Sequence, residues 1–302
     1  MYVVTGASGN TGGAVADALL AKGAKVRVVG RSAARLEKFT MRGAEAAIVD
    51  LADPDASQLT KAFSGATGVY AMIPPDPTSN DGLAYAGVVS KVIVTALMTA
   101  AVDRVVVLSS FGADKAAKTG PVLGLHRLEE LINAVGGLNA LYLRAGYFME
   151  NLLGQVAVIK NFGVMAGPVR ADLPLPMIAT RDIGAYAAEK LLYPDYEGKQ
   201  TRELQGQRDV TYNEVARVIG AAVANSGLSY MRMPDEQLKP AFLQMGWSEN
   251  MTGLLLEMSG SLNTGHMATL ETRSPGNATP TSIEQFVSDT FVPLFEGRAA
   301  HA

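Results

Sequence analysis

The chain has 302 residues and a mass of 31.7 kDa, enough for one large domain, or for a nucleotide-binding domain of roughly 150–200 residues with a smaller part appended. With 26 Lys and Arg against 29 Asp and Glu, 18% charged residues and 48% hydrophobic ones, it has neither a polybasic face for nucleic acid nor a disordered composition. The lack of cysteine excludes disulfides, thiolate metal sites and thiol nucleophiles. The histidines, His126, His266 and His301, are too scattered for a local metal pair, and no GxSxG elbow occurs, so hydrolysis is a poor expectation and no metal is predicted.

The opening MYVVTGASGN reads as a strand from residue 2 with no basic n-region or cleavage site, predicting a cytoplasmic protein without a secretory signal. Strands are predicted at Tyr2–Thr5, Lys25–Val29, Ala46–Val49, Gly68–Ile73, Arg104–Leu108 and Ala140–Leu143, alternating with segments of helical period. That alternation is the mark of βαβ units, which build a parallel sheet covered on both faces. Gly23 suits the residue ending the first helix, and Asp53-Pro54 suits an N-cap with proline at the first helical position. The longest apolar stretch, around Gly87–Val102, is interrupted by Ser90 and Lys91 and falls short of the ~20 residues of a membrane span.

Beyond about Gly154 the alternation stops, and residues 163–176 are rich in Gly and Pro. A helix follows at Asp182–Leu192, then a strand near Arg202–Gln205, a helix opened by Thr211-x-x-Glu214 and a last helix opened by Thr281-x-x-Glu284. The expected division is a nucleotide-binding part, 1–154, and a smaller substrate-binding part, 155–302. The second leans on the sheet rather than folding apart, and some of its segments return to the first.

Gly6-Ala7-Ser8-Gly9-Asn10-Thr11-Gly12 lies between the first strand and its helix, the context in which a glycine pattern reads as a phosphate cradle. Gly6 permits the turn, Gly9 lets backbone amides reach a pyrophosphate, Gly12 lets helix and strand pack closely, and the helix N-terminus favours the anion. The second strand ends in Gly30-Arg31-Ser32, with Arg35 one turn on. Arginines where an NAD site would carry an acid favour a 2′-phosphate, hence NADP(H), unless both are merely solvated. Asp50-Leu51, after the third strand, suits the adenine edge.

These residues, with Ile73-Pro74-Pro75, Leu108-Ser109-Ser110, the string Leu143-Arg144-Ala145-Gly146-Tyr147-Phe148-Met149-Glu150-Asn151, Asp182-Ile183-Gly184 and Pro280-Thr281-Ser282 with Phe286, resemble the NmrA-like family of atypical short-chain dehydrogenases/reductases over nearly the whole chain. The resemblance implies an α/β, Rossmann-type doubly wound parallel sheet with a smaller, mostly helical C-terminal part covering the substrate. It also implies an NADP site whose nicotinamide end is lined by Ile73, Pro74, Ser109, Ser110, Gly146, Tyr147 and Phe148. The family mixes reductases of quinones, azo compounds and triphenylmethane dyes with redox sensors that bind cofactor without turnover, and fold does not choose between them.

Ordinary short-chain reductases carry Tyr-x-x-x-Lys on the helix after the fifth strand. Here that helix, Gly124–Leu131, has neither residue, and Tyr186-Ala187-Ala188-Glu189-Lys190 falls after the sixth strand, out of context. His126 stands in the vacated region as a candidate proton donor or ribose ligand, with Glu130 one turn on, and Tyr147 is a second candidate donor. The substrate wall is read as Phe148, Met149, Met177 and Trp247, core packing being the favoured role for the last two. The expected activity is NADPH-dependent reduction of a small flat aromatic or quinoid electrophile. The expected protein is a monomer or homodimer without nucleic-acid or membrane partners. The alternatives are an NADP(H) sensor acting through a protein partner, and a biosynthetic reductive or epimerase-like enzyme.

Overall fold

A computed structural model describes residues 1–298; His301 and the end of the expected second part lie outside them. Six strands and five helices alternate first: β1 (Tyr2–Val4), α1 (Asn10–Ala21), β2 (Val26–Gly30), α2 (Ala33–Thr40), β3 (Glu45–Ile48), α3 (Ser57–Phe63), β4 (Gly68–Ala71), α4 (Gly82–Thr99), β5 (Arg104–Ser110), α5 (Val122–Asn133) and β6 (Asn139–Ala145). The rest comprises β7 (Tyr147–Phe148), a 3-10 turn at Met149–Gly154, α6 (Gln155–Phe162), β8 (Met165–Gly167), β9 (Met177–Ile178), α7 (Thr180–Leu192), β10 (Lys199–Leu204), α8 (Tyr212–Ala222), β11 (Tyr230–Arg232), α9 (Asp235–Gln244) and α10 (Glu249–Thr264). It ends in α11 (Ile283–Phe286), a π-helical turn and α12 (Val292–Phe295).

The main sheet has the order β10-β6-β5-β4-β1-β2-β3, with every pair parallel. Alternation along its strands divides the core in two. Val4, Val28, Val106 and Leu141 meet α1, α2 and α7, whereas Val3, Val29, Val105 and Val107 meet α3, α4 and α5. This is the α/β, doubly wound architecture expected. A third apolar cluster, including Phe111, Met149, Met177, Tyr212, Ile219 and Phe286, knits the C-terminal elements together. β10 pairs with β6, so a strand from beyond residue 154 completes the main sheet.

The local signals fare unequally. Gly23 closes α1 with φ +71°, and Thr211 caps α8 by accepting from the Glu214 amide at 3.2 Å. Asp53-Pro54 forms no cap, because Asp53 and Asp55 each accept an amide two residues on in successive turns that delay α3 until Ser57. Thr281 does not cap the last helix either: Asp182 accepts both its amide and its hydroxyl, and Ser282 caps instead, bonding the Gln285 amide at 3.1 Å. The apolar stretch falls mostly within α4, which begins five residues before it, at Gly82. By length and composition α4, with mean hydropathy 1.6, suffices to cross a membrane, but Val89, Ile93, Ala96 and Leu97 along it are buried in the core.

α1 and α7 pack backbone to backbone. A Cβ on Gly184 would stand 2.3 Å from the Ala14 Cβ and 2.6 Å from its carbonyl carbon, distances at which a helix must shift. Gly184→Ala is therefore expected to cost about 1–3 kcal/mol in urea denaturation. Gly154→Ala, where φ is −61° and no atom lies within 4 Å, is the control and should be neutral or slightly stabilising. Equal effects would show that the helix contact is not the constraint.

Candidate functional site

Strand order reverses at β1: the chain passes outward through β2 and β3 on one side and through β4, β5 and β6 on the other. A crevice forms beyond the carboxyl ends of the strands at such a point. Thr5 closes its floor, its hydroxyl donating to the Tyr70 carbonyl and accepting from the Met72 amide, each at 3.1 Å. Gly6 turns the chain at φ +63°, and Gly12 could carry no side chain, since its Cβ would lie 2.4 Å from the Gly6 carbonyl oxygen. Gly9 differs from both. Its Cβ would meet only the Gly6 oxygen, at 3.4 Å, so the space above it is open. Gly9 is the N-cap of α1, in extended conformation and without a side-chain cap, and the first-turn amides of α1, with Asn10 and Thr11 on the cavity wall, have no intrahelical partners.

Two cavities meet over this loop, sharing Gly9, Met72, Pro74 and Pro75. The narrower, about 200 Å³, is lined by Gly6, Ser8, Gly30, Arg31, Arg35, Asp50 and Leu51, among others. Arg35 donates to the Ser8 carbonyl at 3.3 Å, which lays its guanidinium beside the glycine loop. Arg31 is exposed and forms no ion pair among the described residues. The larger, about 570 Å³, takes Asn10 and Thr11 from α1, Ile73, Pro74 and Asp76 after β4, and Tyr85 from α4. Ser109, Ser110 and Phe111 come from the end of β5, Leu125 from α5, and Gly146, Tyr147, Phe148 and Asn151 from the segment after β6.

Its roof is distant in sequence: Met251, Met258 and Leu262 of α10, then Met267. α10 is anchored where Gly82 donates to Asn250 Oδ1 at 2.8 Å and Ser248 bonds the Pro77 and Ser79 carbonyls. A Cβ on Gly120 would come within 2.0 Å of the Leu254 carbonyl oxygen, so the approach to α5 runs flush beneath this helix. Gly146 serves the same end, a Cβ there lying 2.1 Å from the Pro176 oxygen, and the Tyr147 amide then bonds that oxygen at 3.0 Å.

In the place of a Tyr/Lys pair the structure has a buried ion pair. Arg144 on β6 bonds both carboxylate oxygens of Glu129 on α5, at 3.1 and 2.6 Å, and Ser109 donates to the same carboxylate at 2.5 Å. His126 lines neither cavity. Its Nδ1 bonds the Ala113 carbonyl at 2.8 Å and its Nε2 lies 3.5 Å from Glu130. Gly12 likewise lies beneath the loop rather than on a cavity wall. Of the expected substrate wall only Phe148 reaches the cavity: Met149 and Met177 belong to the third core cluster, and Trp247 packs on Phe242 at 5.4 Å. Tyr186 and Lys190 sit on α7, with Lys190 bonded to Asp195 at 2.7 Å, and line neither cavity. Tyr85, Phe111, Asn151 and the roof methionines had no local sequence signal, because a side chain's placement on a cavity is a tertiary property.

Residues 2–287 match the NmrA-like family. A (4-alkanoyl-5-oxo-2,5-dihydrofuran-3-yl)methyl phosphate reductase from Streptomyces griseus subsp. griseus is 28% identical over 224 residues, 73% of this chain and 74% of that one. Among solved structures, the triphenylmethane reductase of Citrobacter sp. complexed with NADP(H) has a TM-score of 0.78 at 18% identity, covering 95% of this chain and 99% of that one. The NADPH-dependent quinone oxidoreductase of Escherichia coli complexed with NADPH has a TM-score of 0.74 at 20% identity, covering 96% and 100%. At these identities the two structures establish the shared fold.

Glu150 ties the cavity segment to α7. One carboxylate oxygen accepts the Thr180 amide at 2.9 Å and its hydroxyl at 2.7 Å, while the other is buried without a hydrogen-bond partner among the described residues. Burial raises its pKa, and the Thr180 bonds only partly offset that. A carboxyl whose pKa is higher folded than unfolded holds more protons in the native state, so its contribution to stability declines as pH rises from the ordinary carboxylate range through the raised value. Glu150→Gln keeps the acceptor and has no charge to bury. The variant should gain on wild type in melting temperature as pH goes from about 4 to 7, the two converging at the acid end. A pH-independent difference would refute this account.

Proposed function

The chain belongs to the NmrA-like family, and from that premise we propose that it is an NADPH-dependent reductase delivering hydride to a flat conjugated electrophile such as a quinone. The observation that carries this reading is the two-armed cleft: a narrow arm bearing Arg31 and Arg35 opens at Gly9 into a large, mainly apolar chamber. The fit to a dinucleotide is physical. The space that a side chain at Gly9 would occupy is free, the N-terminus of α1 borders it, and two guanidinium groups line the narrow arm with charge suited to an adenosine 2′-phosphate. Asp50 and Leu51 would border the adenine, and Ile73, Pro74, Ser109, Ser110 and residues 146–148 the nicotinamide end.

Bound there, the reduced nicotinamide supplies a hydride to an electrophilic carbon. The protein's part is to orient and to exclude water. Ile73, Pro74 and Phe148 form one end of a slot, and Met251, Met258 and Met267 close it with polarizable side chains suited to a flat unsaturated molecule. A conjugated acceptor spreads the incoming electron pair into a delocalised anion that water can protonate, so the missing Tyr/Lys pair is no obstacle. The NADPH-dependent quinone oxidoreductase and the dye reductase among its structural neighbours support the same reading. The Streptomyces relative extends it to a compound with ring and alkanoyl carbonyls.

NADP(H) should bind at least ~10-fold tighter than NAD(H), since a charge-assisted arginine–phosphate contact contributes about 1.5–3 kcal/mol. Arg31→Asp should abolish that preference in cofactor titrations, and a variant that kept it would remove the argument. In an NADPH-oxidation panel of quinones and dyes, His126→Ala, Tyr186→Phe and Lys190→Ala should each stay within about threefold of wild type, roughly 0.6 kcal/mol of barrier. A 100-fold loss in any of them, with cofactor affinity intact, would relocate the chemistry. Cofactor binding without oxidation by any acceptor would favour the sensor reading.

A further inference from the structure

Two of the hydroxyl groups on the large cavity have their protons engaged within the protein. Ser109 donates to Glu129 and Ser110 to the Phe111 carbonyl at 3.0 Å, so neither proton points into the chamber. Tyr147 lines the chamber, and its hydroxyl lies 2.8 Å from that of Tyr212. Tyr212, at the first turn of α8, is 5% exposed. Its ring stacks on Tyr230 at 4.3 Å and 22° and meets Tyr147 edge-on at 77°. Tyr230 spends its own proton on the Val169 carbonyl at 2.9 Å.

Tyr147 and Tyr212 thus share two protons and one hydrogen bond. If Tyr147 donated, the Tyr212 proton would be left buried with no acceptor among the described residues, a cost of about 1–3 kcal/mol. If Tyr212 donates, its proton is satisfied and the remaining one, on Tyr147, is left for a further acceptor beside the cavity that Tyr147 and Asn151 line. Burial therefore decides the direction of the bond. Burial also raises the Tyr147 pKa, against the lowering effects of Tyr212 and Asn151, and so keeps it a protonated donor.

We propose that Tyr147, held and polarised by Tyr212, donates a hydrogen bond to the carbonyl oxygen of the substrate, so that the site selects conjugated carbonyl compounds, quinones or enones, over electrophiles that carry no oxygen. This rests on the reductase reading above. When hydride adds to the conjugated carbon, a C–H bond forms, the π pair moves onto the oxygen, and the nicotinamide is oxidised. The bond from Tyr147 strengthens as that oxygen gains charge, and water supplies the neutralising proton. Tyr212 is a positioning residue: it never meets the substrate, but it determines where the Tyr147 proton points.

The test uses the full-length protein with oxidised NADP, 2-methyl-1,4-naphthoquinone labelled with carbon-13 at its carbonyls, and infrared difference spectroscopy. Tyr147→Phe and Tyr212→Phe each remove one oxygen and no carbon, and circular dichroism melts verify that they fold. The bound carbonyl band should lie lowest in wild type, highest in Tyr147→Phe and between them in Tyr212→Phe. With NADPH, kcat for the quinone should fall about 10- to 100-fold in Tyr147→Phe. The ratio of quinone to cationic triphenylmethane dye turnover should fall at least tenfold. One band position in wild type and Tyr147→Phe, or equal losses with both acceptors, would overturn the proposal. A shifted band without NADPH oxidation by any acceptor would sink the reductase reading and leave the donor in place, whereas failure of the quinone to bind would sink both.

Discussion

α1 can begin at the crevice only because Gly12 lies against the Gly6 carbonyl, where any side chain would put a carbon 2.4 Å from the oxygen. Close approach there pulls the helix N-terminus down onto the end of β1, beside the point where strand order reverses. The far face of α1 repeats the device, with Gly184 of α7 against Ala14. α7 is tied at its start to Glu150 and, through Asp182, to the Thr281 region. A chain of contacts therefore runs from the glycine loop to the C-terminal elements, each link depending on a missing Cβ or a buried polar bond.

The Glu129–Arg144–Ser109 cluster makes the cavity floor stiff rather than reactive. Its members come from α5, β6 and β5, so one carboxylate spans three elements and uses up the Ser109 proton. Such a pair adds little net stability over an apolar replacement, yet losing one partner would strand a buried charge at a cost of about 3–5 kcal/mol. Its consequence for function is a subtraction. With Ser109 and Ser110 both engaged, neither strand-end serine donates into the chamber that Tyr147 lines.

The roof couples the two halves of the chain in the opposite direction. Met251, Met258 and Leu262 reach the chamber because α10 is anchored to Pro77 and Ser79 in the loop that follows β4 and to Gly82 at the start of α4. The loop after β4, which lines the chamber through Pro74 and Asp76, thus also carries the helix that closes it.

The sequence alone determined the features whose cause is local. Val-rich runs, Gly6 at positive φ, Gly23 ending α1 and Thr211 capping α8 each follow from a few neighbouring residues, and the glycine loop with Arg31 and Asp50 marked the narrow arm before any coordinates. Only the tertiary structure decided which side chains face the chamber. On α5, Leu125 lines it while His126, a step of about 100° around the helix, turns to the Ala113 carbonyl. A Thr that reads as a cap at 281 is claimed by Asp182 from 99 residues away, and Met149, read as wall, is held off it by packing. Periodicity records that a residue is apolar or helical, whereas the face it presents to a cavity depends on partners that no local pattern contains.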